Sequence, residues 1–281
     1  MNRQICKYVI DSLKTSKLWI NCLEKDCKLG EVFLTVRNNI RFFHKGGKLF
    51  EFDKNGFMTH TKFASVINSS SDYLTETEFS KSRLVSSFEK GYERIKENCS
   101  KFSGDESIGV SNLYSKYSYL SDENIVVLDI EISLRSMNEN RSQDRIDLLL
   151  FNKDTRILTF VEAKHFSNSE IWADSRTPDV IGQIKRYEKQ IADNRADIIS
   201  EYANCVKTLN LIFNCSLPVP AEIDDKVTLL IFGFDNDQKI GKLTGSILEN
   251  PCYRGINLYK IGNAENINSN TLSALLKKNK R

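Results

Sequence analysis

The chain has 281 residues, 40% of them hydrophobic, enough for one large domain or a domain with a smaller companion, and a poor composition for disorder or a coiled coil. Its 40 basic and 37 acidic residues leave a formal net charge of +3, so contact with nucleic acid has to come from a local patch and not from a global positive field. Seven scattered cysteines without a C-x-x-C pair, no secretory signal and no apolar run long enough to span a bilayer point to a reducing, cytoplasmic setting without a membrane partner.

In chain order, Ile5 to about Leu18 has the apolar spacing of a helix. From Gly30 to about Val66, short β-rich runs are separated by Asn38-Asn39, Gly46-Gly47 and Asn55-Gly56, the pattern of a small antiparallel meander. The polar run Asn68 to Ser82 marks the expected boundary, giving a β-rich module over 1–70 and a second domain over 71–281. Beyond it, Leu84, Phe88, Tyr92, Ile95, Cys99 and Phe102 predict one face of a helix ending near Lys101, with a shorter helix around Val110 to Tyr119.

Three strands are then expected, at Asn124–Arg135, Arg145–Asn152 and Arg156–Lys164, with connections short enough for antiparallel neighbours. Pro178 opens a helix whose apolar stripe is Val180, Ile184, Tyr187 and Ile191, and a further helix covers Ala196 to about Phe213. Val227–Asp235 reads as a strand buried on both faces. The tail from Thr271 reads as a helix that frays into the basic run Lys277 to Arg281.

The charged groups inside two of these apolar strands carry the chemistry. Asp147 is separated by fourteen residues from Glu162-Ala163-Lys164. Residues two apart on a strand share a side, so Glu162 and Lys164 project together while Ala163 turns the other way and leaves its carbonyl at the site. Magnesium takes oxygen ligands and asks the protein for one or two carboxylates, which Asp147 and Glu162 can supply; a lysine beside them can orient or help deprotonate a water. The bland alternatives are a Glu–Lys ion pair on a solvent face, a core aromatic at Tyr187, half-exposed strand alternation for Asp129 and Glu131, a structural His165, and a solvated helix face for Lys185, Arg186 and Lys189.

D-x14-E-x-K on adjacent strands, followed by Gln183-Ile184-Lys185-Arg186-Tyr187 on a helix, resembles the PD-(D/E)xK nuclease superfamily, in particular its RecB-like branch with a Q-x-x-x-Y motif. The position of the Pro is taken by Ile146. The resemblance covers roughly Lys81 to Asp235 and implies a restriction-endonuclease-like α/β core, a mixed central sheet flanked by helices. It implies that Asp147 and Glu162 bind Mg2+, or Mn2+ in its place, with the Ala163 carbonyl as a further ligand. Lys164 is then catalytic, and Gln183 and Tyr187 position the substrate or the catalytic groups. Relatives often add a Glu from the preceding helix, for which Glu89 is preferred over Glu93. Some relatives hold an iron–sulfur cluster, but the spacing of Cys205, Cys215 and Cys252 matches no cluster pattern.

The implied activity is hydrolysis of DNA phosphodiester bonds in defence against foreign DNA, restriction or repair, with residues 1–70 available to a protein partner and oligomers compatible with the chain. A non-cleaving nuclease-like module that binds nucleic acid or protein, or an RNA-directed nuclease, are the competing expectations.

Overall fold

A computed structural model describes residues 3–65, 72–81, 87–134, 145–172 and 177–276. The described chain is mixed α/β and divides into two compact units. The first comprises Met1–Leu120 and Glu201–Val219; the second comprises Ser121–Ser200 and Pro220–Arg281. Among the described residues no helix is long and apolar enough to cross a membrane.

The first unit opens with helix α1 (Lys7–Thr15), a π-helical turn (Trp19–Leu23) and α2 (Glu24–Lys28). The expected meander follows as β1 (Phe33–Val36), β2 (Ile40–His44), β3 (Gly47–Asp53) and β4 (Gly56–His60), each antiparallel to its neighbour. Lys45 and Gly46 both take positive φ in the β2–β3 turn, the twist that a tight hairpin requires. After the short helix α3 (Thr61–Ala64) come β5 (Tyr73–Thr75), α4 (Glu76–Lys81), α5 (Phe88–Ser100) and α6 (Asp105–Lys116).

Two expectations are corrected here. The polar run Asn68–Ser82 is not simply a linker: Tyr73–Thr75 adds a fifth strand beside β4, and α4 buries Phe79. Nor does the boundary fall near residue 70. The predicted stripe of α5, Phe88, Tyr92, Ile95 and Cys99, is buried, but it packs on the meander, with Phe88 and Tyr92 5.3 and 6.3 Å from the Phe50 ring. Burial of such a stripe is the main force that assigns a helix to a core, so α5 belongs to the first unit. Phe102, expected on the same stripe, is 58% exposed.

The second unit holds β6 (Ile125–Ser133), β7 (Arg145–Asn152) and β8 (Ile157–His165), antiparallel as predicted, followed by a 3-10 turn at Ser169–Ile171. Helix α7 (Asp179–Asp193) buries Val180, Ile184, Tyr187 and Ile191. Helix α8 (Arg195–Phe213) starts in the second unit and ends in the first. Then come β9 (Glu222–Ile223), β10 (Thr228–Phe232), α9 (Asn236–Gln238), a π-helical stretch (Lys239–Leu248), β11 (Asn257–Ile261) and α10 (Ser269–Leu275).

The sheet order is β11-β10-β8-β7-β6, with β9 paired to the start of β8. β10 is buried at every position and parallel to both β8 and β11, so the sheet is mixed: an antiparallel half from β6 to β8 and a parallel half from β8 to β11. The basic run Lys277–Arg281 lies outside the described residues.

Candidate active site

The β7–β8 ladder runs from Asn152↔Ile157 to Leu148↔Val161 and stops. Both strands continue, but each is then held by its other neighbour: β7 by β6 as far as Ser133↔Arg145, β8 by β10 as far as Phe232↔His165. A continued ladder would give Ala163 to Ile146. Instead the Ala163 N–H donates to Asp147 Oδ2 at 2.8 Å, so a carboxylate replaces a strand carbonyl where the strands part. The N–H and C=O of one strand residue leave on the same side, so the Ala163 carbonyl faces β7 as well.

One register step past Leu148↔Val161, Asp147 stands opposite Glu162. Glu162 is 1% exposed and Lys164 6% exposed, so these are not solvent-face charges. The Lys164 Nζ lies 3.0 Å from Glu162 Oε1 and 2.8 Å from Glu170 Oε2. Glu170 comes from the 3-10 turn after β8, where Asn168 Oδ1 accepts the Glu170 N–H and fixes the turn. The sequence reading missed Glu170. Its local signal, Asn two residues ahead in an Asx-type turn, reveals the turn but not its proximity to Lys164.

Gln183 and Tyr187 meet as their four-residue spacing requires: Gln183 Nε2 donates to the Tyr187 hydroxyl at 2.8 Å. That hydroxyl donates in turn to the Arg145 carbonyl at 2.8 Å, two residues before Asp147. The Tyr187 ring is fully buried, so it is both a core aromatic and a tether on the strand that carries Asp147.

Other candidates fall elsewhere. Glu89 is on α5 of the first unit, where its carboxylate accepts from Asn21, and the constellation described above is built from the second unit alone. Asp129 is not on a half-exposed face: it is 1% exposed beside a bulge between Val127 and Asp129, and its carboxylate accepts the Ile130 N–H. Glu131, lying between the pairs Ile130↔Leu148 and Ile132↔Ile146, is across from Asp147; it has φ of 51° and pairs with Arg145 at 3.0 Å. His165 turns away from Lys164, bonds Ser167 Oγ at 2.7 Å and lies edge-on to Phe232. Lys185, Arg186 and Lys189 are exposed.

The donor set fits a hard cation. Asp147, Glu162 and the Ala163 carbonyl offer only oxygen, and a two-carboxylate set suits magnesium, which keeps several waters. Among the described residues no group of three or more His, Cys, Asp or Glu side chains that could hold a metal ion comes together. Compared with known protein families, curated proteins and solved structures, the chain matches none.

Proposed function

We propose that the chain is a magnesium-dependent nuclease that hydrolyses DNA phosphodiester bonds, with a PD-(D/E)xK-type core in its second unit. The observation that carries this reading is the Asp147 carboxylate at the end of the β7–β8 ladder, one register step from a buried Glu162–Lys164 pair. Asp147, Glu162 and the Ala163 carbonyl would hold the cation, which when bound offsets the charge that builds on the phosphoryl oxygens. Lys164 donates hydrogen bonds to the attacking water or a phosphoryl oxygen, and Glu162 and Glu170 hold its ammonium in place. Tyr187 and Gln183 position β7, and through it Asp147. Manganese is the substitute cation. A cytoplasmic setting and a role in defence, restriction or repair belong to the same proposal, as does a partner on the N-terminal module.

The competing reading takes Lys164 as the neutralised centre of a buried Glu162–Lys164–Glu170 triad in an inert binding module. Incubating the protein with labelled linear, circular and single-stranded DNA and with RNA, in magnesium, manganese or EDTA, separates the two. The nuclease reading expects cation-dependent cleavage of DNA that is lost in Lys164→Ala. No cleavage of any substrate, or equal cleavage by the variant, overturns it; cleavage of RNA alone reassigns the substrate.

A further inference from the structure

A second feature of the same sheet bears on which substrate the site takes. Ile231 pairs with Lys164 on one side and with Lys260 on the other. Paired residues of parallel strands project to one face, so Lys260 leaves the sheet on the side of Lys164, about 10 Å away across two strand spacings. A cavity of about 850 Å3 opens along β11, with Lys226, Arg254, Tyr259 and Lys260 in its lining and Glu249 the single acid among its described lining residues. That is three cations against one anion, although Lys226 also pairs with Glu188 at 3.1 Å. The volume is in the range that takes a nucleotide-sized group.

One hydrogen bond links the cavity lining to the turn beside the site. Tyr253, which lines the cavity, donates its hydroxyl to the Ile171 carbonyl at 2.6 Å, and the preceding Glu170 is the residue that meets Lys164. Tyr259 and Lys260 are neighbours on β11, the terminal strand of the sheet, and both line the cavity, which therefore runs along that edge. A single strand can lay its backbone along such an edge and leave a base free to stack on an aromatic ring, whereas the bases of a duplex are already paired and stacked.

Resting on the nuclease reading, we propose that this cavity holds one phosphate-bearing nucleotide of a single strand whose neighbouring phosphodiester lies at Lys164. Lys260 and Arg254 hold its phosphate, and the Tyr259 ring is the platform for its base. Cation-plus-aromatic linings are how single strands are bound without sequence preference. The assignment makes the substrate a single-stranded end or gap.

The test measures binding separately from cleavage. Fluorescence anisotropy in EDTA follows a short labelled oligothymidylate on the full chain and on Lys260→Glu, Arg254→Glu, Lys260→Arg and, as an exposed control, Lys207→Glu. Each charge reversal is expected to raise Kd by about tenfold and to reduce the salt slope by about 0.7 for each lost phosphate contact. Lys260→Arg should bind like the parent, and Lys207→Glu within about twofold of it. Equal Kd and salt slope for the reversals and the control overturn the proposal, as does a duplex competitor that binds tighter than the single strand. Cavity-dependent binding without cleavage in magnesium upholds the cavity and sinks the nuclease reading. Cleavage with cavity variants that bind like the parent does the reverse.

Discussion

Tyr187→Phe removes one oxygen atom from the interior and tests whether α7 positions the site. The hydroxyl accepts from Gln183 and donates to the Arg145 carbonyl, both at 2.8 Å, while the ring is fully buried and is kept by the substitution. Each lost buried hydrogen bond costs about 1 kcal/mol, and a buried group left unsatisfied up to about 3, so we expect about 1–3 kcal/mol by urea unfolding. In a chain of this size that is a fall in Tm of roughly 2–4 °C per kcal/mol. The start of β7 then keeps its ladder to β6, the Arg145–Glu131 pair and the Asp147–Ala163 bond, but loses its tie to α7 two residues from Asp147. If about 1.4 kcal/mol of the loss reaches the geometry of Asp147, single-turnover cleavage falls about tenfold. Gln183→Ala should give a smaller loss and add little in the Tyr187→Phe background, because the two share one interaction. A Tyr187→Phe variant with the parent's stability but lowered cleavage would refute the tether. Unchanged cleavage with the expected loss of stability would reduce the pair to core packing.

Lys164→Met should abolish cleavage and cost about 3–5 kcal/mol, since it leaves Glu162 as a buried charge without its ammonium; Lys164→Met/Glu162→Gln should recover most of that stability in urea unfolding but no activity, and a cleaving double variant would remove both residues from the mechanism. Gly233→Ala should destabilise the protein by about 1–3 kcal/mol, because Gly233 has φ of +81° and an added Cβ would run into the His165 ring; His165→Ala in that background should relieve the clash but not the backbone cost, as read by thermal melting. Burial, the largest influence on His44, holds its imidazole below the ordinary value, with its Nδ1 2.7 Å from the Glu31 carbonyl. The folded protein thus binds the proton less well than the unfolded chain, whose pKa is about 6.5, so His44's contribution to stability is complete above about pH 6.5 and is lost as pH falls below it. His44→Gln should flatten that part of the urea-unfolding profile.

How much was legible in the sequence follows from which forces were local. β6, β7 and β8 were readable because their apolar runs and short connections are local, and Tyr187 declared itself twice, by its stripe and by its spacing from Gln183. The edge strand β11 was not: all five residues of Asn257–Ile261 are half-buried, so neither alternation nor a continuous apolar run marks it. The stripe on α5 was correctly placed on a helix, but periodicity says which side of a helix is buried and not which sheet buries it. The return of Glu201–Val219 to the first unit, and the approach of Glu170 to Lys164, are tertiary facts with no local trace.

The parting of β7 and β8 ties the chemistry to the fold and decides how the site can be tested. Beyond Leu148↔Val161 the Ala163 N–H has lost its expected strand partner, and Asp147 supplies an acceptor in its place. The same carboxylate is the proposed cation ligand, so Asp147→Ala confounds two losses: a charge at the site and a bond that holds the strands in their parted geometry, worth about 1–3 kcal/mol if the N–H is left unsatisfied. Asp147→Asn separates them, because its amide oxygen can still accept from Ala163 while its charge is gone. Unfolding of Asp147→Asn should stay within about 1 kcal/mol of the parent while cleavage falls by at least two orders of magnitude, roughly the loss expected when a charged group acting on the transition state is removed. Raising the magnesium or manganese concentration should recover part of the activity if the lost charge weakened cation binding. If Asp147→Asn cleaves like the parent, the carboxylate is a strand acceptor only, and the cation would have to be held by other residues.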